Sequence, residues 1–104
     1  METIAFRMQL FPGFDQEYKK RHDMLWPELK VLLKQAGIQD YAIFYDPSTN
    51  GLFAILKTDT PHGLETLSTK EVMRRWWAYM ADIMETNPDG SPRTFPMNQV
   101  FFMP

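Results

Sequence analysis

Residues 17 to 29 read EYKKRHDMLWPEL, a stretch that combines a helical apolar stripe with a phenol and an imidazole on the same face. Residues three or four positions apart are neighbours on a helix, so Tyr18 and His22 point in the same direction. Glutamate and lysine side chains take the opposite side, as on an amphipathic surface helix. Pro27 lacks an N–H and pushes the preceding residue away from helical angles. We therefore expect a break near residues 23 to 27, with Tyr18 and His22 facing an open space.

Strand-like and helix-like hydrophobic patterns alternate along the rest of the chain. The predicted elements are a strand at 3–11, a helix at 14–36, hairpin strands at 38–46 and 52–58, a helix at 68–85 and a strand at 97–103. Gly37 is the expected left-handed end of the first helix, and Ser68 with Glu71 forms a capping-box signature for the second. A short helical piece is expected near residues 64 to 67, after a loop at 59 to 63.

The order β α β β α β predicts an α+β fold of the ferredoxin-like, split βαβ type. In this fold, a four-stranded antiparallel sheet carries its helices on one face. The hairpin strands are apolar on both sides, so the uncovered face also needs to be buried. A second copy of the sheet is the simplest cover, which predicts a homodimer with facing sheets.

Length and composition exclude several classes of function. The 104 residues fit one domain, 1–104, and 11 basic against 13 acidic residues give a net charge of −2. This balance argues against nucleic acid or a membrane surface as the main partner. The chain has no cysteine, no glycine-rich phosphate loop and no cluster of residues at metal-ligand spacing. We expect a cytoplasmic protein that uses no cofactor and no metal.

Proton transfer between oxygen atoms is the chemistry that remains, and His22 suits it because neutral imidazole titrates near pH 7. The cations at residues 19 to 21 are expected to favour its neutral form. Tyr18, one helical turn away, adds a hydroxyl group. His62, between proline and glycine, is interpreted as an exposed loop residue.

Paired indole rings and alternating phenols are the second feature of the predicted site. Trp76 and Trp77 offer flat apolar surfaces with N–H groups at their edges, which suit the C–H face of a sugar. Tyr41 and Tyr45 alternate on the hairpin and add further hydroxyl groups. Each of these rings is equally compatible with core packing. Together they indicate a small, neutral polyhydroxy ligand.

The motifs YKKRHDMLWPEL, YAIFYD, RRWWAYM and NPDGSP, in this order over nearly the whole chain, resemble those of the L-rhamnose mutarotase family. The resemblance implies a cytoplasmic homodimer of the dimeric α/β-barrel type that interconverts the α and β anomers of L-rhamnose without a cofactor. His22 then matches the family's proton donor. The matches to its sugar-binding residues are Tyr18, Tyr41, Trp76 and Trp77.

Under this resemblance, His22 protonates the ring oxygen as the pyranose opens, while Tyr18 or a water relays the anomeric proton. Two other functions stay open from the residues themselves. A cofactor-free monooxygenase of the same dimeric architecture would oxidise an aromatic substrate in an apolar pocket. A non-catalytic sugar-binding module would need the same aromatic rings, with His22 as a hydrogen-bonding residue only.

Overall fold

The computed structural model describes residues 1–59 and 61–104, except for the side chains of Pro61 and His62. The strands are β1 (Glu2–Gln9), β2 (Ile38–Asp46), β3 (Gly51–Thr58) and β4 (Phe95–Met97). The α-helices are α1 (Asp15–Asp23), α2 (Pro27–Gln35), α3 (Pro61–Thr66) and α4 (Glu71–Met80), and a 3₁₀ turn at Leu67–Thr69 follows α3.

The four strands form one antiparallel sheet in the order β2-β3-β1-β4. This order, with helices between β1 and β2 and between β3 and β4, is the ferredoxin-like arrangement, so the predicted fold class is confirmed. The buried cluster joins Met8 and Leu52 of the sheet to Leu29 of α2 and to Met73 and Trp76 of α4. The helices therefore cover one face of the sheet.

The predicted break after the first helix is confirmed, and Pro27 explains it. Trp26 has extended backbone angles (φ −59°, ψ 129°), and Pro27 opens α2 at the first helical position, where a missing N–H costs nothing. The His22 carbonyl at the end of α1 accepts a hydrogen bond from Leu25 N. The break thus turns the chain while its backbone groups stay paired. Gly37 ends the second segment with φ 87°, as predicted.

Three predictions about the second half of the chain are wrong in detail. The capping box is absent, because Lys70 is the N-cap residue of α4 without a side-chain bond and the Ser68 hydroxyl donates to the Glu65 carbonyl. Helix α4 ends at Met80, five residues before the predicted end. Strand β4 covers Phe95–Met97 only, and residues 98 to 104 have no regular structure.

The region around His62 also differs from the prediction. Helix α3 begins at Pro61, so the backbone at this position is helical and not in a loop. The predicted exposure of the His62 side chain lies outside the described residues.

Candidate active site

A wide cleft of about 1800 Å³ opens between the sheet and the helices, and all five predicted site residues line it. Tyr18 and His22 reach it from α1, Tyr41 from β2, and Trp76 and Trp77 from α4. Apolar side chains such as Phe6 and Ile43 form much of the remaining wall. The tertiary structure therefore brings together residues that are up to 59 positions apart in the sequence (77 − 18).

His22 is held in the last turn of α1 by its own helix. Its Nδ1 lies 2.9 Å from the Tyr18 carbonyl oxygen, and its ring meets Trp76 edge to face, with 5.4 Å between centroids. A carbonyl only accepts hydrogen bonds, so Nδ1 carries the proton and donates. Nε2 has no hydrogen-bond partner among the described residues, and in the neutral ring it is a proton acceptor.

The neutral form of His22 is favoured, as expected, but for a different reason. Burial lowers the pKa of His22 below its usual value of 6.5, while the Tyr18 carbonyl and the negative charge of Asp23 oppose this shift. Two of the three neighbouring cations form ion pairs: Lys19 pairs with Asp23 at 2.7 Å, and Arg21 pairs with Glu17 at 2.8 Å. Desolvation in the aromatic cleft therefore keeps the imidazole neutral.

Tyr18 is buried against the His22 ring, with centroids 4.2 Å apart and ring planes 26° from parallel. Burial, and secondarily the charge that a Tyr41 phenolate would carry, raises the pKa of Tyr18 far above its usual value. A phenol with such a pKa stays protonated near neutral pH. The Tyr18 hydroxyl is therefore a hydrogen-bond donor and acceptor, and it does not act as a free phenolate base.

A β-bulge in β2 places Tyr41 in the cleft. Gln39 pairs with Lys57 and Ala42 with Ile55, so two residues of β2, Asp40 and Tyr41, lie opposite one residue of β3. Asp40 has φ 50°, in the left-handed region that Asp tolerates better than most residues. A regular strand would put Ile38 and Tyr41 on opposite faces, whereas here both line the cleft.

The two tyrosines of the hairpin have different roles. Partial burial raises the pKa of Tyr41 to about 12, and 40% of the residue surface remains exposed. Tyr45 also lines the cleft, but its hydroxyl donates to Asn50 Oδ1 at 2.6 Å and so stabilises the hairpin turn. Of the two, Tyr41 has the hydroxyl that a ligand can use.

Trp76 and Trp77 occupy unequal positions on α4. Trp76 is 6% exposed and contacts three other rings, those of His22, Trp26 and Tyr79, at centroid distances of 5.1 to 5.7 Å. Trp77 is only partly buried at the cleft wall. Trp76 is thus part of both the core and the cleft, whereas Trp77 offers more of its surface to a ligand.

Sequence reasoning missed two groups of residues around the cleft. Trp26 and Tyr79 stack on each other at 5.8 Å and extend the ring cluster behind Trp76. Their spacing in the sequence gives no signal, because the contact depends on the packing of α4 beside the break before α2. Asn87 and Ser91, in the predicted turn segment NPDGSP, line the cleft rim and are hydrogen-bonded to each other.

Charged groups offer little to a metal ion. Within residues 1–59 and 61–104, outside the undescribed His62 side chain, no group of three or more His, Asp or Glu side chains is arranged to hold one. The same part of the chain contains no helix that is long and apolar enough to cross a membrane.

Comparisons with known proteins agree closely with one another. The family model described as L-rhamnose mutarotase matches residues 3–103. An L-rhamnose mutarotase from Acidiphilium cryptum is 55% identical over 104 residues, which cover all of both chains. The crystal structure of an L-rhamnose mutarotase from Formosa agariphila is 48% identical, covers all of both chains and superposes with a TM-score of 0.92.

A more distant likeness concerns the fold alone. The crystal structure of an antibiotic biosynthesis monooxygenase is 13% identical, covers 96% of this chain and 99% of its own, and has a TM-score of 0.52. At this identity, a shared ferredoxin-like fold carries no information about the reaction.

Proposed function

The chain belongs to the L-rhamnose mutarotase family, and we propose that it interconverts the α and β anomers of L-rhamnose in the cleft between its sheet and its helices. The observation that carries the site assignment is the neutral His22, whose Nδ1 is bonded to the Tyr18 carbonyl and whose Nε2 is free among the described residues. Family membership over the full chain also favours this function over the monooxygenase alternative.

Mutarotation needs one base and one acid and consumes neither. The base takes the proton of the anomeric hydroxyl, the C1–O5 bond breaks, and the acid gives a proton to the ring oxygen, which leaves an open-chain aldehyde. Rotation about C1–C2 presents the other carbonyl face, and closure returns both protons. Such positioned proton transfers typically contribute about 10² to 10⁴-fold to a rate.

We assign the base of the opening step to His22 Nε2, because a neutral imidazole that already donates through Nδ1 starts as an acceptor. The Tyr18 hydroxyl stays protonated because burial raises its pKa, so we assign it a hydrogen bond to the ring oxygen, while a water supplies the proton to this oxygen and takes it back on closure. On closure, the imidazolium of His22 gives its proton back. The proton-donor role that the family resemblance implies then belongs to the closing direction, by microscopic reversibility.

The remaining cleft residues would bind the sugar. Tyr41 has the second free phenol, and Trp77 offers a partly exposed indole face for the C–H side of the ring. Apolar neighbours suit the C6 methyl group that distinguishes a 6-deoxy sugar. A hydroxymethyl sugar would lose part of this contact and bring a hydroxyl that needs a partner.

The apolar outer face of the sheet supports a homodimer. Phe44 is 63% exposed and pairs across the strands with Phe53, and Ile55 is 41% exposed and pairs with Ala42. These residues alternate with Ile43, Ala54 and other cleft or core residues, so they lie on the face away from the helices. Burial of this patch against a second copy would remove apolar surface from water.

Three further observations agree with a dimer in the cytoplasm. The cleft of about 1800 Å³ exceeds the 300 to 1000 Å³ of typical small-molecule sites, so a monosaccharide fills only part of it. Residues 100 to 103, Val-Phe-Phe-Met, are apolar and more than 70% exposed, and contact with a second copy would bury them. The absence of cysteine suits a reducing cytoplasm.

Polarimetry of freshly dissolved crystalline L-rhamnose tests the proposed function. The wild-type protein is expected to speed relaxation to the uncatalysed end point, and His22→Gln is expected to reduce this catalysis by about 10² to 10⁴-fold. NMR of the anomeric signals confirms that only the two anomers exchange.

A measurement of L-rhamnose binding distinguishes a sugar-binding module from a mutarotase. If the wild-type protein binds L-rhamnose without speeding relaxation, the chain is a sugar-binding module. If it catalyses but His22→Gln is equally active, the protein is a mutarotase whose acid–base group lies elsewhere.

A further inference from the structure

Arg21, the residue before His22, joins the two helices that form the site. Its side chain is only 10% exposed, and its guanidinium reaches the end of α4. Nη1 donates to the Tyr79 carbonyl at 2.8 Å and to Asp82 Oδ1 at 2.9 Å, and Nη2 donates to Asp82 Oδ2 at 3.3 Å. Nε donates to Glu17 on its own helix at 2.8 Å. The Arg21 side chain thus links α1 to the end of α4.

The chemistry of this contact explains why an arginine is used. Carbonyls in the last turn of a helix lack intrahelical partners, and a cation at that end also interacts favourably with the helix dipole. The fork of the guanidinium fits both oxygens of Asp82 at once, which an ammonium does not do. The guanidinium also lies 4.4 Å from the centre of the Tyr79 ring.

Tyr79 connects this clamp to the site through aromatic rings. Its ring stacks on Trp26 at 5.8 Å and meets Trp76 at 5.7 Å. Trp26 meets Trp76 at 5.1 Å, and the Trp76 ring meets His22 at 5.4 Å. These ring contacts connect α1 to α4, so the distance between the two helices sets how tightly Trp76 packs against the imidazole.

We propose that Arg21 is a positioning residue of the proposed mutarotase site: by fixing the end of α4 to α1 through Tyr79 and Asp82, it holds Trp76 against His22 and keeps water away from the imidazole. Arg21 itself acts through these residues and does not line the cleft. The inference rests on the proposed function for its catalytic consequence, but its structural consequence is measurable without any substrate.

The ionisable groups around His22 lie mostly on its own helix. Helix α1 contributes Tyr18, Asp23 and the cations at residues 19 to 21, and α4 contributes the uncharged Trp76. Tyr41 of β2 acts on Tyr18. The tyrosines stay neutral near pH 6, so desolvation is the main influence that loosening of α4 would change. That change raises the pKa of His22 toward 6.5.

NMR titration of the histidine rings is the direct test. The chain has two histidines, and His22→Gln identifies the signals of His22. In Arg21→Met, the titration midpoint of His22 is expected to rise toward that of an exposed histidine, and kcat/KM for mutarotation at neutral pH is expected to fall about tenfold, because small displacements at a reacting group are costly. Arg21→Lys keeps the charge without the fork and is expected to recover part of both values.

Arg75→Met is the matched control. Arg75 pairs with Glu28 at 3.8 Å and so joins α4 to α2, but both side chains are more than half exposed. This variant is expected to leave the His22 titration unchanged. Tyr79→Leu changes no charge and so separates loosening of α4 from loss of the Arg21 charge. It removes the ring that links Arg21 to Trp76 and is expected to shift the His22 midpoint in the same direction, also where Arg21→Met does not fold.

Two results would overturn the inference. One is a folded Arg21→Met or Tyr79→Leu protein with the wild-type His22 midpoint. The other is an equal shift in Arg75→Met, which would indicate general loosening of α4. A wild-type protein without mutarotase activity would instead contradict the proposed function and leave the titration result to be read on its own.

Discussion

The imidazole of His22 stacks on the phenol ring of Tyr18, with 4.2 Å between centroids, while its Nδ1 lies 2.9 Å from the carbonyl oxygen of the same residue. Tyr18 therefore determines both the orientation of the ring and which nitrogen carries the proton. A spacing of four residues on one helix is sufficient to produce both contacts.

The pH dependence of catalysis should report the protonation state of His22. Because burial lowers its pKa below 6.5, we expect kcat/KM to stay constant down to pH 6.5 and to fall only in more acidic solution. Polarimetry at a series of acidic pH values measures this decrease in kcat/KM. A rate that falls as the pH rises through neutrality would instead identify the imidazolium as the active form in ring opening.

The same shift should appear in protein stability. The unfolded state has a histidine pKa near 6.5 and the folded state a lower one, so the unfolded state binds the proton first as the pH falls. We expect the free energy of unfolding to decrease below pH 6.5 until the folded-state pKa is reached. Urea titrations of the wild-type protein and His22→Gln measure the effect, and a slope in this window that is identical in both proteins would contradict it.

Tyr18→Phe keeps the ring that stacks on His22 and removes only the hydroxyl. We expect a kcat about 2- to 12-fold lower, which corresponds to a lost neutral hydrogen bond of about 0.5 to 1.5 kcal/mol, with little change in thermal stability. A loss as large as that of His22→Gln would indicate that this hydroxyl is indispensable for proton transfer. Unchanged kinetics would remove Tyr18 from the mechanism.

The adjacent tryptophans should differ in their effect on folding. Trp76→Ala leaves a cavity among three rings and is expected to lower the free energy of unfolding by about 3 to 5 kcal/mol. Trp77→Ala is expected to cost less than about 2 kcal/mol and to raise KM for L-rhamnose, because Trp77 is partly exposed in the cleft. Chemical denaturation and progress curves separate the two. Equal losses of stability would mean that both rings serve the core.

The proposed dimer interface is tested by a charge on the outer face of the sheet. Phe44→Glu places a carboxylate in the exposed apolar patch and is expected to convert the dimer to a monomer. Light scattering after size-exclusion chromatography measures the mass. The control is Lys57→Glu, which should remain dimeric. Lys57 is already charged in the wild type and lies further along β3 than Phe53, the cross-strand partner of Phe44. A monomeric wild-type protein would contradict the proposal itself.

Most of the architecture follows from short-range patterns in the amino-acid sequence. Alternating and helical periodicity predict the order β α β β α β, Pro27 predicts the break after α1, and Gly37 the end of α2, because these signals act over a few residues. The family prediction, based on motifs along the chain, is confirmed. The pairing of Tyr18 with His22 also follows from local helical spacing.

The way in which the separate segments meet depends on tertiary packing. The bulge at Asp40 changes the face of Tyr41 relative to Ile38, and strand periodicity alone does not predict it. The contacts of Arg21 with the end of α4 and of Trp26 with Tyr79 depend on how distant helices pack. The lowered pKa of His22 likewise comes from burial and not from the adjacent cations. Local sequence specifies backbone conformation, whereas desolvation and contacts between distant residues exist only after the chain has folded.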